Sequence, residues 1–222
     1  MEPFKINTFI AHNFRQFCED ELGLRLVEKS KSKLMKLLAV VLFFNKDFMS
    51  YYTTIGKTIY WPNLDSFGSD AYEDVSILFH EGQHRADEKS FGPIYHLGYL
   101  FPQLLALLGI TLPLLAIWLD LFWLVSLVML AAAAPLPAPF RTAFELRGYS
   151  CNVHLAFWER GKVSDKHLEH IASQFTGHWY YFMCPSESYI DARLRRMRRE
   201  TQCGKMTRWQ RKVCDFLGGP VP

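Results

Sequence analysis

The residues best suited to chemistry lie in Leu78-Phe79-His80-Glu81-Gly82-Gln83-His84-Arg85-Ala86-Asp87, where two histidines stand four apart with a glutamate between them. On a helix, side chains four apart project from one face, so the two imidazoles can converge on a single metal ion. Glu81 then points toward the open coordination position. There its carboxylate can take a proton from a metal-bound water and pass it to a leaving amine. The His-Glu-x-x-His spacing is that of zinc hydrolases. The competing reading is an ordinary polar helix face in a chain that holds eight histidines.

A catalytic zinc takes three protein ligands and keeps one position for water. The third candidate is Glu145, in Arg141-Thr142-Ala143-Phe144-Glu145-Leu146-Arg147-Gly148-Tyr149-Ser150, a stretch that opens a helix behind a proline-rich boundary. Glu145, Tyr149 and Asn152 share a helix face at spacings of four and three. Tyr149 is therefore an auxiliary catalytic candidate that braces a ligand or donates to an oxyanion. Two alternatives stay open. Glu145 can be a solvated carboxylate paired with Arg141 or Arg147, and Asp87, one turn beyond His84, can be a ligand or an acceptor for a ligand histidine. Gly82 and Gly148 suit a close crossing of the two helices. His96, His154, His167, His170 and His178 read as ordinary polar or core histidines.

The metal helix is expected to start at Asp70, with Glu73 three residues on, and to stop at Ser90-Phe91-Gly92-Pro93. Val75, Leu78, Phe79 and Ala86 give it a buried side. Upstream, two β-rich runs at 48–54 and 58–62 flank Gly56 as a hairpin. Pro62 predicts that 58–61 is an edge strand, open to pairing with an extended peptide; a purely structural hairpin is the alternative. Residues 7–28 read as one or two amphipathic helices and 37–44 as a buried strand.

After the metal helix, residues 97–119 form 23 positions without a charge, Asp120 interrupts, and 121–140 add 20 more. The first half is long enough for a ~30 Å hydrocarbon layer. A transmembrane hairpin, a monotopic or re-entrant hairpin and a protein-buried hairpin compete. Asp120 favours a hairpin turning near 118–121, where its carboxylate reaches water or headgroups. The expectation is a membrane-inserted 97–140 hairpin, flanked by Arg85, Lys89, Arg141 and Arg147 and so with both ends on the cytoplasmic side.

The length fits a single domain over 1–222. The net charge of +3 is local: residues 191–212 carry nine Lys/Arg against Asp191 and Glu200. Within the basic C-terminal segment 186–222, Ile190, Leu194 and Met197 make an apolar stripe among arginines, which over 186–199 suits an anionic membrane surface. Nucleic acid ranks last as a partner. Ser164 and Ser186 are expected helix caps, and 179–183 an aromatic core or interfacial belt. Five scattered cysteines favour a reducing compartment without disulfides. The N-terminus shows no secretory pattern.

His80-Glu81-x-x-His84, a hydrophobic hairpin and a helix opening with Glu145 together resemble the gluzincin clan of zinc peptidases. Over residues 48–155 the plan is most similar to the minigluzincins and to membrane gluzincins related to the CAAX prenyl endopeptidase. The glutamate helix of that family reads Glu-x-x-Ala-Asp, against Glu145-Leu-Arg-Gly148-Tyr149 in this chain. Tyr149 thus stands where the family has an aspartate supporting a ligand histidine. The resemblance implies an α+β, zincin-like fold, mainly helical. A small sheet would precede the metal helix, and a hydrophobic helical hairpin would separate it from the glutamate helix. The expected activity is zinc-dependent hydrolysis of a peptide or protein substrate. His80, His84 and Glu145 would hold Zn2+, Glu81 would act as general base and then acid, and Tyr149 would assist. The expected location is at a membrane with the site on the cytoplasmic side; the alternative is soluble cytoplasmic. The alternative function is a catalytically silent zincin scaffold with a structural or binding role at a membrane or in an assembly.

Overall fold

The computed structural model describes residues 5–41, 47–102, 104–105, 109, 121–130, 137–177, 183–184 and 186–218. Helices dominate them and a three-stranded sheet accompanies the helices, an α+β arrangement. Helix α1 (Thr8–Leu22) starts where the Asn7 side chain accepts from the Ile10 amide, and buries Ala11, Phe14, Cys18 and Leu22 at helical spacing. It stops at Gly23, whose φ of 71° caps the helix in the left-handed region. Strand β1 (Arg25–Glu28) follows at once. The stretch expected to be helical over 7–28 is therefore a helix and a strand.

Strands β2 (Thr53–Ile55) and β3 (Thr58–Trp61) form the expected hairpin around Gly56. The sheet order is β1-β3-β2, with β1 parallel and β2 antiparallel to β3. Thr58–Trp61 is thus the central strand, not an edge, and its backbone is already paired on both sides. Pro62 follows the last paired residue and costs the ladder nothing. The strand expected at 37–44 is helix α2 (Lys33–Val41), with 42–44 outside the described residues. Ser32 Oγ accepts from the Met35 amide at its start, Met35 is buried, and Lys33 and Lys36 stay in solvent, a helical distribution.

Helix α3 (Ala71–Phe91) carries the paired histidines. Asp70 caps it by accepting from the Glu73 amide, as expected. Gly92 ends it and Pro93 opens α4 (Pro93–Leu100). Then come α5 (Leu121–Leu130), α6 (Pro139–Arg160), α7 (Asp165–Thr176), α8 (Glu187–Gln202) and α9 (Arg208–Leu217). Ser164 and Ser186 cap α7 and α8 as the sequence predicts.

The transmembrane hairpin is corrected. Among the described residues, no helix is long and apolar enough to cross a membrane. Helix α4 ends after eight residues, where Phe101 turns to extended backbone. Ten residues of helix α5 are described. The expected turn near 118–121, apart from Leu121, and the aromatic run at 179–183, apart from Met183, lie outside the described residues.

Helix α6 is the wall shared by two cores. Its Cys151, Leu155 and Trp158 pack with α1, β3, α3 and α9, while Leu146, Val153 and Ala156 pack with α7 and α8. Helix α3 lies along α6 in the most extensive helix pairing of the fold. The two elements expected to share a metal are therefore held together by the first core, and the second anchors α6 from its other side.

Candidate metal centre

His80 and His84 on α3 and Glu145 on α6 meet in the seam between these helices, and all three are at least nine-tenths buried. His80 Nε2 and His84 Nε2 are 3.0 Å apart, and Glu145 Oε2 lies 3.4 Å from the first and 3.6 Å from the second. The carboxylate contacts are longer than ordinary hydrogen bonds, so direct pairing does not explain the spacing. A tetrahedral ion with ligands at ~2.0–2.1 Å would hold them roughly 3.3–3.4 Å apart. The three observed edges bracket that value. Among the described residues, this is the single group of three or more His, Cys, Asp or Glu side chains able to share an ion, and no fourth such side chain joins it.

The surroundings aim these atoms. Asn152 Oδ1 lies 3.1 Å from His80 Nδ1 and Asn152 Nδ2 donates to Ser76 Oγ, an orientation in which the amide oxygen is the acceptor. His80 then carries its proton on Nδ1 and turns a lone pair on Nε2 toward the centre. Tyr149 stands edge-on against His80, with ring centroids 4.8 Å apart. A Cβ at position 148 would lie 2.6 Å from His80 Nε2, so only glycine leaves room for the imidazole there. Gly82 is different. A Cβ there would meet Trp209 of α9 at 2.5 Å, and Trp209 Nε1 donates to the Phe79 carbonyl. Of the two glycines, Gly148 serves the crossing of α3 and α6 and Gly82 the docking of α9.

Among the described residues, Asp87 does not join the group of His80, His84 and Glu145, and its hydrogen bonds go elsewhere. Arg147 clamps it through two hydrogen bonds of 2.8 and 2.7 Å, and Gln83 Nε2 donates to it at 2.8 Å. This pair ties α3 to α6 one turn beyond the site. It also engages Arg147, while the carboxylate of Glu145 is buried and directed at His80 and His84 rather than solvated. Glu81 is half-buried on the motif helix and close enough to His84 and Tyr95 to bias both electrostatically.

Without a metal ion, burial opposes the charge on His84, but Glu145 foremost, then Glu81 and Asp87, outweigh it and push the imidazole up to about 9. Burial likewise opposes ionisation of Glu145, and the two imidazoles overcome it and hold the carboxyl well below its ordinary range. A buried anion and cation thus stabilise each other where a divalent ion would satisfy all three groups. His84 Nδ1 is buried with no hydrogen-bond partner among the described residues.

Sequence reasoning missed Tyr99. Its hydroxyl donates to Glu145 Oε1, the oxygen turned away from the histidines, and its ring stands edge-on to His84 at 5.9 Å. Tyr95 stacks on it and the Arg141 guanidinium lies over it at 5.1 Å. The signal was present as Tyr95 and Tyr99 four apart on a helix directly after Gly92-Pro93. It was hidden because the apolar run there read as part of a membrane segment.

Comparisons with protein-family models, with curated proteins and with solved structures find no match to this chain.

Proposed function

We propose that this protein is a zinc-dependent peptidase of gluzincin-like plan, with His80, His84 and Glu145 as ligands. The observation that carries the reading is the convergence of three donor atoms from two helices, at 3.0, 3.4 and 3.6 Å, with no fourth His, Cys, Asp or Glu among the described residues. Three protein ligands leave a position for water, as catalytic zinc requires and four-ligand structural zinc does not. Zinc bound there supplies a water acidified to a pKa of ~7 and a Lewis acid for the scissile carbonyl.

The chain's own groups do the rest. Glu81, one residue from His80, accepts the proton of the attacking water on its carboxylate and returns it to the leaving amine. Asn152 holds the His80 tautomer, and Tyr99 holds Glu145 so that one oxygen stays directed at the histidines.

A second reading, a zincin scaffold that holds zinc without turnover, is favoured by the burial of the ligands beneath Tyr99 of α4. The Glu81→Gln variant separates the two. Under the peptidase reading it retains the wild-type zinc content and loses hydrolysis of an unstructured protein substrate such as casein. Equal hydrolysis by both proteins removes the mechanism through Glu81, and none by either with zinc retained favours the scaffold.

A further inference from the structure

We propose that the outer face of α4, α5 and the first turn of α6 docks on the surface of an anionic lipid bilayer. Helix α4 is apolar on two sides. Tyr95 and Tyr99 face inward over the ligand carboxylate, whereas Ile94, Leu97 and Phe101, three and four residues apart, are 39 to 70% exposed. Phe140 extends this face onto α6: it is exposed, its ring meets that of Phe101 at 6.1 Å, and it packs beside Gly98. Helix α5 adds exposed Trp123, Leu127 and Val128 and no charged residue. The α4 side chains and Phe140 are contiguous, and an exposed apolar patch of this kind marks a surface that something covers.

The chemistry of the face selects lipid over a second copy of the chain. Between Pro93 and Phe140 the sequence holds a single charged residue, Asp120. Protein interfaces surround an apolar centre with a polar rim and form about one hydrogen bond per 100–200 Å2. The exposed side chains named here offer a lone donor, the Trp123 indole N–H, whereas a hydrocarbon surface asks for none. Charge points the same way. At the α3–α4 corner a recess of about 600 Å3, lined in part by Arg85, Glu88, Lys89, His96 and Leu97, borders the face. Arg85 and His96 both pair with Glu88, so the exposed ammonium of Lys89, hydrogen-bonded to the Glu21 carbonyl, remains as net positive charge at the level of a headgroup. An interfacial helix with apolar residues below and cations at its margin is the expected form of such contact.

This docking is independent of the peptidase reading. One consequence does rest on it: the ligands lie about one helix diameter, ~10 Å, behind the lipid-facing surface, so the substrate class is a peptide segment close to the bilayer.

The test is flotation of the zinc-loaded full chain with vesicles of phosphatidylcholine alone and of phosphatidylcholine mixed with phosphatidylglycerol. The wild type should float with the mixed vesicles and less so at high salt. The Ile94→Glu/Leu97→Glu double variant, and separately Phe140→Ser on the other helix, should partition at least ~10-fold more weakly with unchanged zinc content and circular dichroism. Glu81→Gln should float like the wild type, so loss of hydrolysis and loss of docking are read separately. Wild-type flotation by both surface variants overturns the proposal. A wild type that ignores both vesicles and elutes as a dimer, which the variants convert to monomer, also overturns it and assigns the face to a second copy.

Discussion

Two buried histidine environments meet α6, that of its own His154 and that of His80 and His84 on α3, and they differ in what meets the ring nitrogens. His154 is closed by the protein: Nδ1 lies 2.8 Å from the Ser150 carbonyl and Nε2 3.1 Å from that of Lys205, with the Thr201 hydroxyl also beside Nδ1. Its polar atoms are spent on backbone, joining α6 to the loop before α9. His80 and His84 turn their Nε2 atoms toward each other and toward a carboxylate, an arrangement that direct hydrogen bonding satisfies poorly. Burial alone therefore does not separate a structural histidine from a ligand. The destination of the second ring nitrogen does.

Breaking the open site should cost metal, and breaking the closed site should cost stability. Glu145→Ala should give the largest effect, a fall in zinc affinity beyond the roughly 100-fold that marks loss of an outer partner, measured by chelator competition. Gly148→Ala forces His80 Nε2 away from a Cβ that would stand 2.6 Å off, and should weaken zinc by ~10–100-fold with the fold retained. Tyr99→Phe removes one hydrogen bond to the ligand carboxylate and should cost ~10-fold by the same assay. His154→Ala should leave zinc affinity unchanged and lower stability by ~1–3 kcal/mol in urea unfolding, because two carbonyls lose their facing partner.

The metal-free protein sharpens the contrast, because the two sites respond to pH with opposite sign. The imidazole of His84 is raised to about 9. Its stabilising contribution is complete below the ordinary ~6.5 and is lost as pH rises through about 9. Burial lowers His154 below its ordinary value, so its contribution is present above ~6.5 and is lost as pH falls through the lowered one. The urea midpoint should accordingly drop on both sides of neutrality. His84→Gln should flatten the alkaline limb and His154→Gln the acid limb.

Much of the site was legible because it depends on helical spacing. His80 and His84 are local neighbours, Asp70 marks the helix start, and Glu145, Tyr149 and Asn152 share a face that the structure turns toward His80. What escaped is what depends on long-range pairing. Arg25–Glu28 reads as helix until β3 claims it as a parallel partner, and with β1 in place Thr58–Trp61 cannot be an edge. Asp87 looked like a ligand one turn on, but its bidentate partner Arg147 comes from 60 residues away. Lys29 is buried for the same reason: its ammonium donates to the carbonyls of Phe48 and Tyr51 and to Thr53, holding the turn before β2.

The most direct test is X-ray absorption at the zinc edge of the loaded protein. The account predicts one zinc per chain with two imidazole nitrogens and two oxygens, one from Glu145 and one from water, at ~2.0–2.2 Å. A thiolate sulfur at ~2.3 Å, or a first coordination sphere unchanged in Glu145→Ala, would contradict it.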